Sequence, residues 1–170
     1  MAAGDRTLTC SIVGQIVGNY VREMELGGNS PGAFSRAYTF DWTTGTGTDQ
    51  ADRLFRDERS TDATGEVLDL AGGLTDDYGQ TLTFVEVKFF ALYNLDGTAS
   101  FIIGNTAANQ FVGWFGAAAH TEAVKPLGLT MHVAPKDAAW TVTAGTGDNL
   151  LIKTSSGSAN YQLWIVGTTA

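Results

Sequence analysis

Few residues of this chain belong to the types that carry out nucleophilic, acid–base or metal chemistry. There are two histidines, His120 and His132, and a single cysteine, Cys10. Neither histidine lies in a recognisable nucleophile context, and two separated histidines with one cysteine fall short of the ligand set of a zinc site. No two titratable groups are spaced so that one would tune the other. We therefore expect no catalytic residue, metal site or cofactor, and predict that the protein is not an enzyme.

Two glycine-rich loops and a group of carboxylates resemble ligand sites only superficially. Gly45-Thr46-Gly47 and Gly145-Thr146-Gly147 lack the lysine and the following helix of a phosphate-binding loop, so both are predicted to be turns. The carboxylates supply hard oxygen ligands but lack the order of an EF-hand loop, which leaves calcium as a minor alternative to a solvated acidic segment. These carboxylates belong to Asp41, Asp49, Asp52, Asp76 and Asp77.

The charge and hydropathy of the chain argue against two classes of partner. The formal net charge is −8, whereas binding to nucleic acid needs a surplus of Lys and Arg on one face. The longest apolar region near the N-terminus, residues 12–21, is broken by glycines and polar residues and is shorter than the roughly 20 residues that span a bilayer. The first residues lack a basic region followed by an apolar stretch. We expect no nucleic-acid partner, no membrane insertion and no export signal.

The elements that would position these residues are predicted to be short strands. Leu8, Cys10 and Ile12 alternate with threonine and serine, which indicates a half-buried strand that residues 17–26 continue. Residues 27–49 are rich in Gly, Ser, Thr and Asn, so a long loop is expected there, with only residues 37–42 strand-like. Residues 74–79 combine a threonine, two carboxylates and a glycine, which predicts a single helical turn.

The second half of the chain carries the clearest strand patterns. In the run from Thr81 to Tyr93, Val87 and Phe89 are assigned to one face and Phe90 and Leu92 to the other, so we expect a core strand covered on both sides. Further alternating runs follow at 129–134, 140–144, 150–154 and 161–166, separated by turn residues. His132 falls on the polar face of its run. Eight or more short strands at this spacing indicate two packed antiparallel sheets.

The predicted fold is therefore all-β, a jelly-roll-like antiparallel β-sandwich with long N-terminal loops and at most one short helix. We expect one domain over residues 1–170, because a chain of this length buries enough surface for a single core. Within it, residues 1–44 are interpreted as an extended arm plus a long loop, and residues 45–170 as the main sandwich.

Four aromatic residues are candidates for a subunit interface. Phe111, Trp114 and Phe115 crowd a glycine-rich segment whose apolar residues fall on both sides, and Trp42 lies in the predicted long loop. Core packing would explain all four. If one side were exposed, the group would mark an interface, where Trp and Phe are enriched.

Several stretches together resemble small structural proteins of tailed bacteriophages that decorate the exterior of the capsid. The similarity is one of pattern and spans residues 45–170. It rests on the runs Gln50-Ala51-Asp52-Arg53-Leu54-Phe55 with Asp57, Leu68-Asp69-Leu70-Ala71-Gly72-Gly73-Leu74, Phe84 to Lys88, Gly145 to Leu150 and Tyr161 to Gly167.

This resemblance implies a decoration, or cement, protein of the virion. Such proteins are typically β-rich, assemble as homotrimers and clamp neighbouring subunits of the major capsid protein against internal pressure. The chain would then be made in the host cytoplasm and reside on the capsid exterior. Two alternatives stay open: a tail or head-fibre component, and a carbohydrate-binding sandwich module that uses Trp42 or Trp114 as a sugar platform.

Overall fold

A computed structural model describes residues 7–23, 29–106, 108–134 and 139–169, and within these ranges strands dominate. One 3₁₀ turn occurs at Gly113–Phe115. No helix in the described ranges has the length and apolar character needed to cross a membrane. The strands are β1 Cys10–Glu23, β2 Asn29–Thr44, β3 Gln50–Ala51, β4 Arg53–Thr61, β5 Glu66–Asp69, β6 Ala71–Thr75, β7 Thr81–Thr83, β8 Glu86–Asn94, β9 Phe101–Gly104, β10 Thr121–Val124, β11 Leu129–Val133, β12 Trp140–Thr141, β13 Asn149–Thr154 and β14 Ala159–Thr168.

Nine of these strands form a five-stranded and a four-stranded antiparallel sheet, and eight of the nine follow the jelly-roll order. The larger sheet has the order β11-β8-β14-β4, with β12 added beside β8, and the smaller sheet has the order β10-β9-β13-β5. Strands at the same position in the two sheets are therefore consecutive in the sequence, as are β8 and β9 or β13 and β14. This pairing is what a long hairpin rolled into a sandwich produces, and the predicted jelly-roll-like sandwich is confirmed.

The main hydrophobic core fills the space between the two sheets. Alternate residues of the strands point inward, so that β14 contributes Tyr161, Leu163 and Ile165 while β13 contributes Leu150 and Ile152. All five are fully buried. Alternation with a period of two residues is the pattern that identified these runs in the sequence, because one face of each strand meets the core.

Strand β8 is covered on both faces, as predicted, but a bulge changes which residues share a face. Val166 lies opposite Phe89 and Gly167 lies opposite Val87, so Lys88 has no opposing residue on β14. The extra residue moves Val87 to the side of Phe90, in the main core, while Phe89 faces the other way. A bulge reverses the alternation of faces, and for this reason the predicted pairing of Val87 with Phe89 was wrong.

Residues 29–44, predicted to be mostly a long loop, form the continuous strand β2. It pairs antiparallel with β1 from Cys10↔Trp42 to Glu23↔Asn29, without a shift in register. We call this two-stranded hairpin the arm. At roughly 3.3 Å per residue, the 14 residues of β1 span about 46 Å. The loop expected in this region is thus, over residues 29–44, the second strand of a hairpin with β1.

The helical turn predicted at residues 74–79 is instead the tip of the hairpin formed by β6 and β7. One carboxylate oxygen of Asp76 accepts hydrogen bonds from the backbone N–H groups of Tyr78 and Gln80, both at 2.9 Å. A side chain that binds the backbone ahead of it closes a turn and does not start a helix. Leu74 and Leu82 attach this hairpin to the main core.

Candidate interaction surface

The four aromatic residues predicted at an interface pack within the chain itself. Trp42 is 1 % exposed and lies in a second hydrophobic cluster beside Phe89, with a distance of 6.4 Å between ring centroids. Phe111 and Phe115 belong to the main core, and Trp114 is half-buried against it. Their contact with a partner stays a prediction, and the exposed apolar side chains of the described ranges are different ones.

Trp114 is at the centre of an aromatic group next to the 3₁₀ turn. Its ring stacks on that of His132 with centroids 4.4 Å apart and planes at 14°, and Phe90 and Trp140 lie at 4.7 and 5.3 Å. His132 stacks on one face of the Trp114 ring, and the ring is half-buried against the main core. These contacts leave less of the ring open for a sugar to stack on, and burial removes Trp42 from the carbohydrate-binding alternative.

His132 and Glu122 form a hydrogen-bonded pair that links two strands. The distance from His132 Nε2 to a Glu122 carboxylate oxygen is 2.7 Å, and the Thr130 hydroxyl donates to the other oxygen of the same carboxylate. Within the described ranges, no third His, Cys, Asp or Glu joins this pair in a way that would hold a metal ion. The contacts tie β11 to β10 across the open end of the sandwich, because these strands are the edge strands of opposite sheets.

A second charged cluster ties β4, β5 and β14 together. Arg59 donates two hydrogen bonds to one oxygen of Glu66, at 2.7 and 3.0 Å, and the Tyr161 hydroxyl donates to the other oxygen. Burial and the neighbouring Glu66 carboxylate raise the pKa of Tyr161, while the bond to Glu66 raises the pKa of Arg59. Both groups thus keep their protons, which suits a structural cluster.

The acidic residues considered for calcium have other partners or lie apart. Asp52 accepts hydrogen bonds from the backbone and the hydroxyl of Thr169, and Asp77 pairs with Arg56 at 2.8 Å. Across residues 7–23, 29–106, 108–134 and 139–169, no three His, Cys, Asp or Glu side chains converge in a way that would hold a metal ion.

One motif was missed in the sequence. Residues 28–32, Gly-Asn-Ser-Pro-Gly, match the Gly-x-Ser-x-Gly pattern of a nucleophile elbow. That elbow needs a sharp turn from a strand into a helix. Here residues 29–32 begin the long strand β2, paired in register with β1, and no helix follows. Gly28 itself lies outside the described residues. The backbone context of Ser30 is therefore not that of a hydrolase nucleophile.

The arm and the larger sheet each carry exposed apolar side chains, as do positions elsewhere such as Val67, Tyr78 and Leu127. On the outward side of that sheet, three cross-strand rows run over β11, β8, β14 and β4. The first row, Val133-Phe89-Val166-Leu54, is covered by the base of the arm, where Ile12 and Phe40 join Trp42 in the second cluster. In the second row Ala91 is buried and Trp164 packs against this cluster, whereas Met131 and, in the third row, Leu129 are exposed.

We call the apolar part of the second and third rows, beyond the buried Ala91, the outer patch. It consists of Met131 and Trp164 from the second row and Leu129 and Tyr93 from the third. Met131 is 47 % exposed and Leu129 54 % exposed. The alternate residues Thr130 and His132 point inward and bind Glu122. The alternating pattern of this strand thus faces opposite to the usual expectation, with its large apolar side chains outside.

The arm has one apolar face that continues beyond its base. Residues directly opposite in an antiparallel pair share a face, so Ile12↔Phe40, Gly14↔Tyr38, Ile16↔Arg36 and Gly18↔Phe34 lie on the same side. Ile16 is 59 % exposed, and Phe34 and Tyr38 are about half exposed. We call the side formed by Ile16, Phe34 and Tyr38 the arm face. The opposite side mixes Val13 and Val17 with polar residues.

In comparisons with protein-family models, curated proteins and solved structures, nothing matches this chain. Its chemistry must therefore be judged from the geometry alone. The polar clusters join strands, and exposed large apolar side chains are grouped on the arm face and the outer patch. An arrangement of this kind is suited to contact with another protein surface.

Proposed function

We propose that this protein is a structural component of a tailed-bacteriophage virion: a decoration protein that binds the exterior of the capsid as a homotrimer and stabilises the shell. Its partners are the major capsid protein and other copies of itself. It acts without a catalytic residue or cofactor, is made in the host cytoplasm and functions on the capsid exterior. The observation that carries the proposal is the projecting arm, whose apolar face is not covered by any of the described residues.

The jelly-roll order supports this proposal without establishing it. Jelly rolls build viral capsid proteins, but they also build lectins, so the fold alone does not decide the function. The distribution of exposed side chains favours the structural role. A lectin presents polar groups and an open aromatic ring in a site, whereas the ring of Trp114 is half-buried and stacked on His132.

The energetics of a decoration protein fit these surfaces. A ligand that binds only the intact shell stabilises that state by mass action, in proportion to its concentration over its dissociation constant. A trimer that contacts three equivalent capsid positions gains further through effective concentration. Each of the three contacts between the trimer and the capsid then needs only a modest area.

The test is to add the purified protein to undecorated phage heads and to measure the temperature at which the heads release DNA. We expect saturable binding and a higher release temperature. Protein unfolded by heat before mixing is the control and should have no effect. Absence of binding, or a position on the tail in an electron-microscopy map of the virion, would contradict the capsid role, and the latter would favour the tail or head-fibre alternative.

A glycan array tests the carbohydrate-binding alternative separately. Specific glycan binding that is lost on Trp114→Ala would favour that alternative, and Trp140→Ala is the matched control within the same aromatic group. We expect neither protein to bind glycans, because the Trp114 ring stacks on His132 and contacts Phe90.

A further inference from the structure

The arm face and the outer patch are two uncovered apolar surfaces of similar chemistry in the same chain. Ile16, Phe34 and Tyr38 form the first, and Met131 and Leu129 are the most exposed members of the second. We propose that the arm of one copy packs its arm face against the outer patch of the next copy, so that the arms link the subunits of the oligomer. This inference rests on the self-association in the proposed function and adds the surfaces that mediate it.

The contact within one chain supplies the model for the contact between chains. At the base of the arm, Ile12 and Phe40 already pack against the cluster that contains Phe89 and Val166 of the larger sheet. The arm face is the continuation of that same side of the arm, and the outer patch is the continuation of that same side of the sheet. The two sides that pack together at the base thus continue beyond it, and the described residues of one copy leave Ile16 on the arm face and Met131 on the outer patch exposed.

The arm also needs a partner for its own stability. An isolated two-stranded hairpin is at best marginally stable in water, and three strands or a packed face are required for independent stability. Beyond its base the arm has exposed residues on both sides, with Ile16 on one side and Val17, 67 % exposed, on the other. Packing against the outer patch of a second copy would bury the more apolar side and hold the arm in place.

Charges on the two surfaces are compatible with this contact. The arm face carries one positive group, Arg36, which lies 5.6 Å from the centre of the Tyr38 ring. The third row of the sheet ends in Glu58, opposite Gln162 on β14. Arg56, at the end of the second row, is neutralised by Asp77 at 2.8 Å. The outer patch therefore offers a carboxylate and no uncompensated arginine to an incoming Arg36.

The two surfaces differ, so the contact is heterologous and each copy uses its arm once and its patch once. Such contacts close into a ring when the rotation between copies allows it. In a trimer every arm would cover the patch of the next copy and no arm face would be left over. The same chemistry therefore accounts for a closed assembly.

Cross-linking between single-cysteine chains tests the proposal. In a Cys10→Ser background, one chain carries Ile16→Cys, and a second, lengthened by a tag, carries Met131→Cys. The two chains are co-expressed and treated with a short bismaleimide. A product that contains one tagged and one untagged chain then shows a link between two copies. We expect the mixed pair to form at least fivefold faster than with Val17→Cys, which sits one residue away on the other side of the arm. Equal rates, or products that join only two arms, would overturn the proposal.

Light scattering on unlinked protein provides the second measurement. Ile16→Ser with Phe34→Ser should shift the oligomer toward monomer at micromolar concentration, whereas Val13→Ser with Val17→Ser should leave it assembled. A monomeric parent protein would overturn the inference. An oligomer that binds heads but gives no arm-to-patch link contradicts only this inference. An oligomer that gives the link but does not bind heads contradicts only the capsid role.

Discussion

The ring of Phe34 lies across Gly18, its opposite residue on the neighbouring strand of the arm. A methyl group added to Gly18 would come within 2.3 Å of Phe34 Cζ and 2.6 Å of Cε1. An aromatic ring that covers a glycine on the adjacent strand shields backbone that would otherwise be open to water, and this pairing holds the register of the arm.

Replacing Gly18 with alanine should loosen the arm. The new methyl group displaces the Phe34 ring, and the loss of this cross-strand contact should cost up to about 1 kcal/mol in the arm. Hydrogen–deuterium exchange of the β1 amides should then be up to about fivefold faster. Gly14→Ala is the matched control, because nothing lies within 4 Å of the added methyl group. Equal exchange in the two variants would contradict the role of the Phe34 contact.

Asn94 should be one of the most sensitive positions in the sandwich. Its buried amide donates to the carbonyls of Ala99 and Lys125 at 2.8 and 3.0 Å, and its oxygen accepts from the N–H of Asp96 at 2.8 Å. Asn94→Leu leaves these backbone groups without partners, which should lower the free energy of unfolding by about 2–4 kcal/mol. Urea unfolding measures the loss, with the exposed Asn160→Leu as control. A loss below about 0.5 kcal/mol would refute the assignment.

Tyr161 should make the protein sensitive to alkali. Burial and Glu66 raise its pKa above the value of about 10 that a tyrosine has in an unfolded chain. The contribution of this shift to the free energy of unfolding is complete below about pH 10 and is lost as the pH rises through the folded pKa. A spectrophotometric titration should show one tyrosine that ionises only when the protein unfolds.

Tyr161→Phe separates this effect from packing. The variant should lose about 1–2 kcal/mol at neutral pH, because the Glu66 carboxylate loses a donor, and its titration should lack the late tyrosine. If the late ionisation persists in the variant, another tyrosine is responsible.

Two turn carboxylates should make the fold sensitive to acid. Asp96 accepts from the backbone N–H groups of Ala99 and Thr98, and Asp62 accepts from those of Thr64 and Gly65; these bonds lower the pKa of both carboxyls. Their stabilising effect is therefore present above the unfolded value near pH 4 and is lost as the pH falls through the folded pKa. Asp96→Ala should lower the melting temperature at pH 7. The variant's melting temperatures at pH 7 and pH 3 should therefore differ by less than those of the parent protein. An unchanged difference would exclude Asp96 as a source of acid sensitivity.

The strands that could be predicted from the sequence are those with one face buried in the core. β13 and β14 alternate with a period of two residues because Leu150, Ile152, Leu163 and Ile165 all face inward, and the jelly-roll class followed from such runs. β2 was missed because most of its length has no buried face. Its residues are held by pairing with β1, and pairing across strands leaves no periodic signal in the sequence.

The candidate surface was harder to predict than the fold. In β11 the leucine and methionine point outward because Thr130 and His132 are bound to Glu122 ten or fewer residues earlier in the chain. The contact with Glu122 determines which face of β11 points inward. Alternation in the sequence shows that the strand has two different faces, but it does not tell which of them is buried. The aromatic residues chosen as interface candidates were the strongest hydrophobic signals, and such residues are also the first to be buried in a core.

Strand β14 lies in the middle of the larger sheet, between β8 and β4, although it is the last strand of the described chain. During synthesis β4 and β8 leave the ribosome long before the segment that must separate them. Until residues 159–168 emerge, both wait with unpaired edges and the inner side of the sheet stays open to water. A ribosome that stalls before this segment would release a sticky fragment, so rapid completion of the chain, more than the stability of the finished sandwich, should govern how much usable protein a cell obtains.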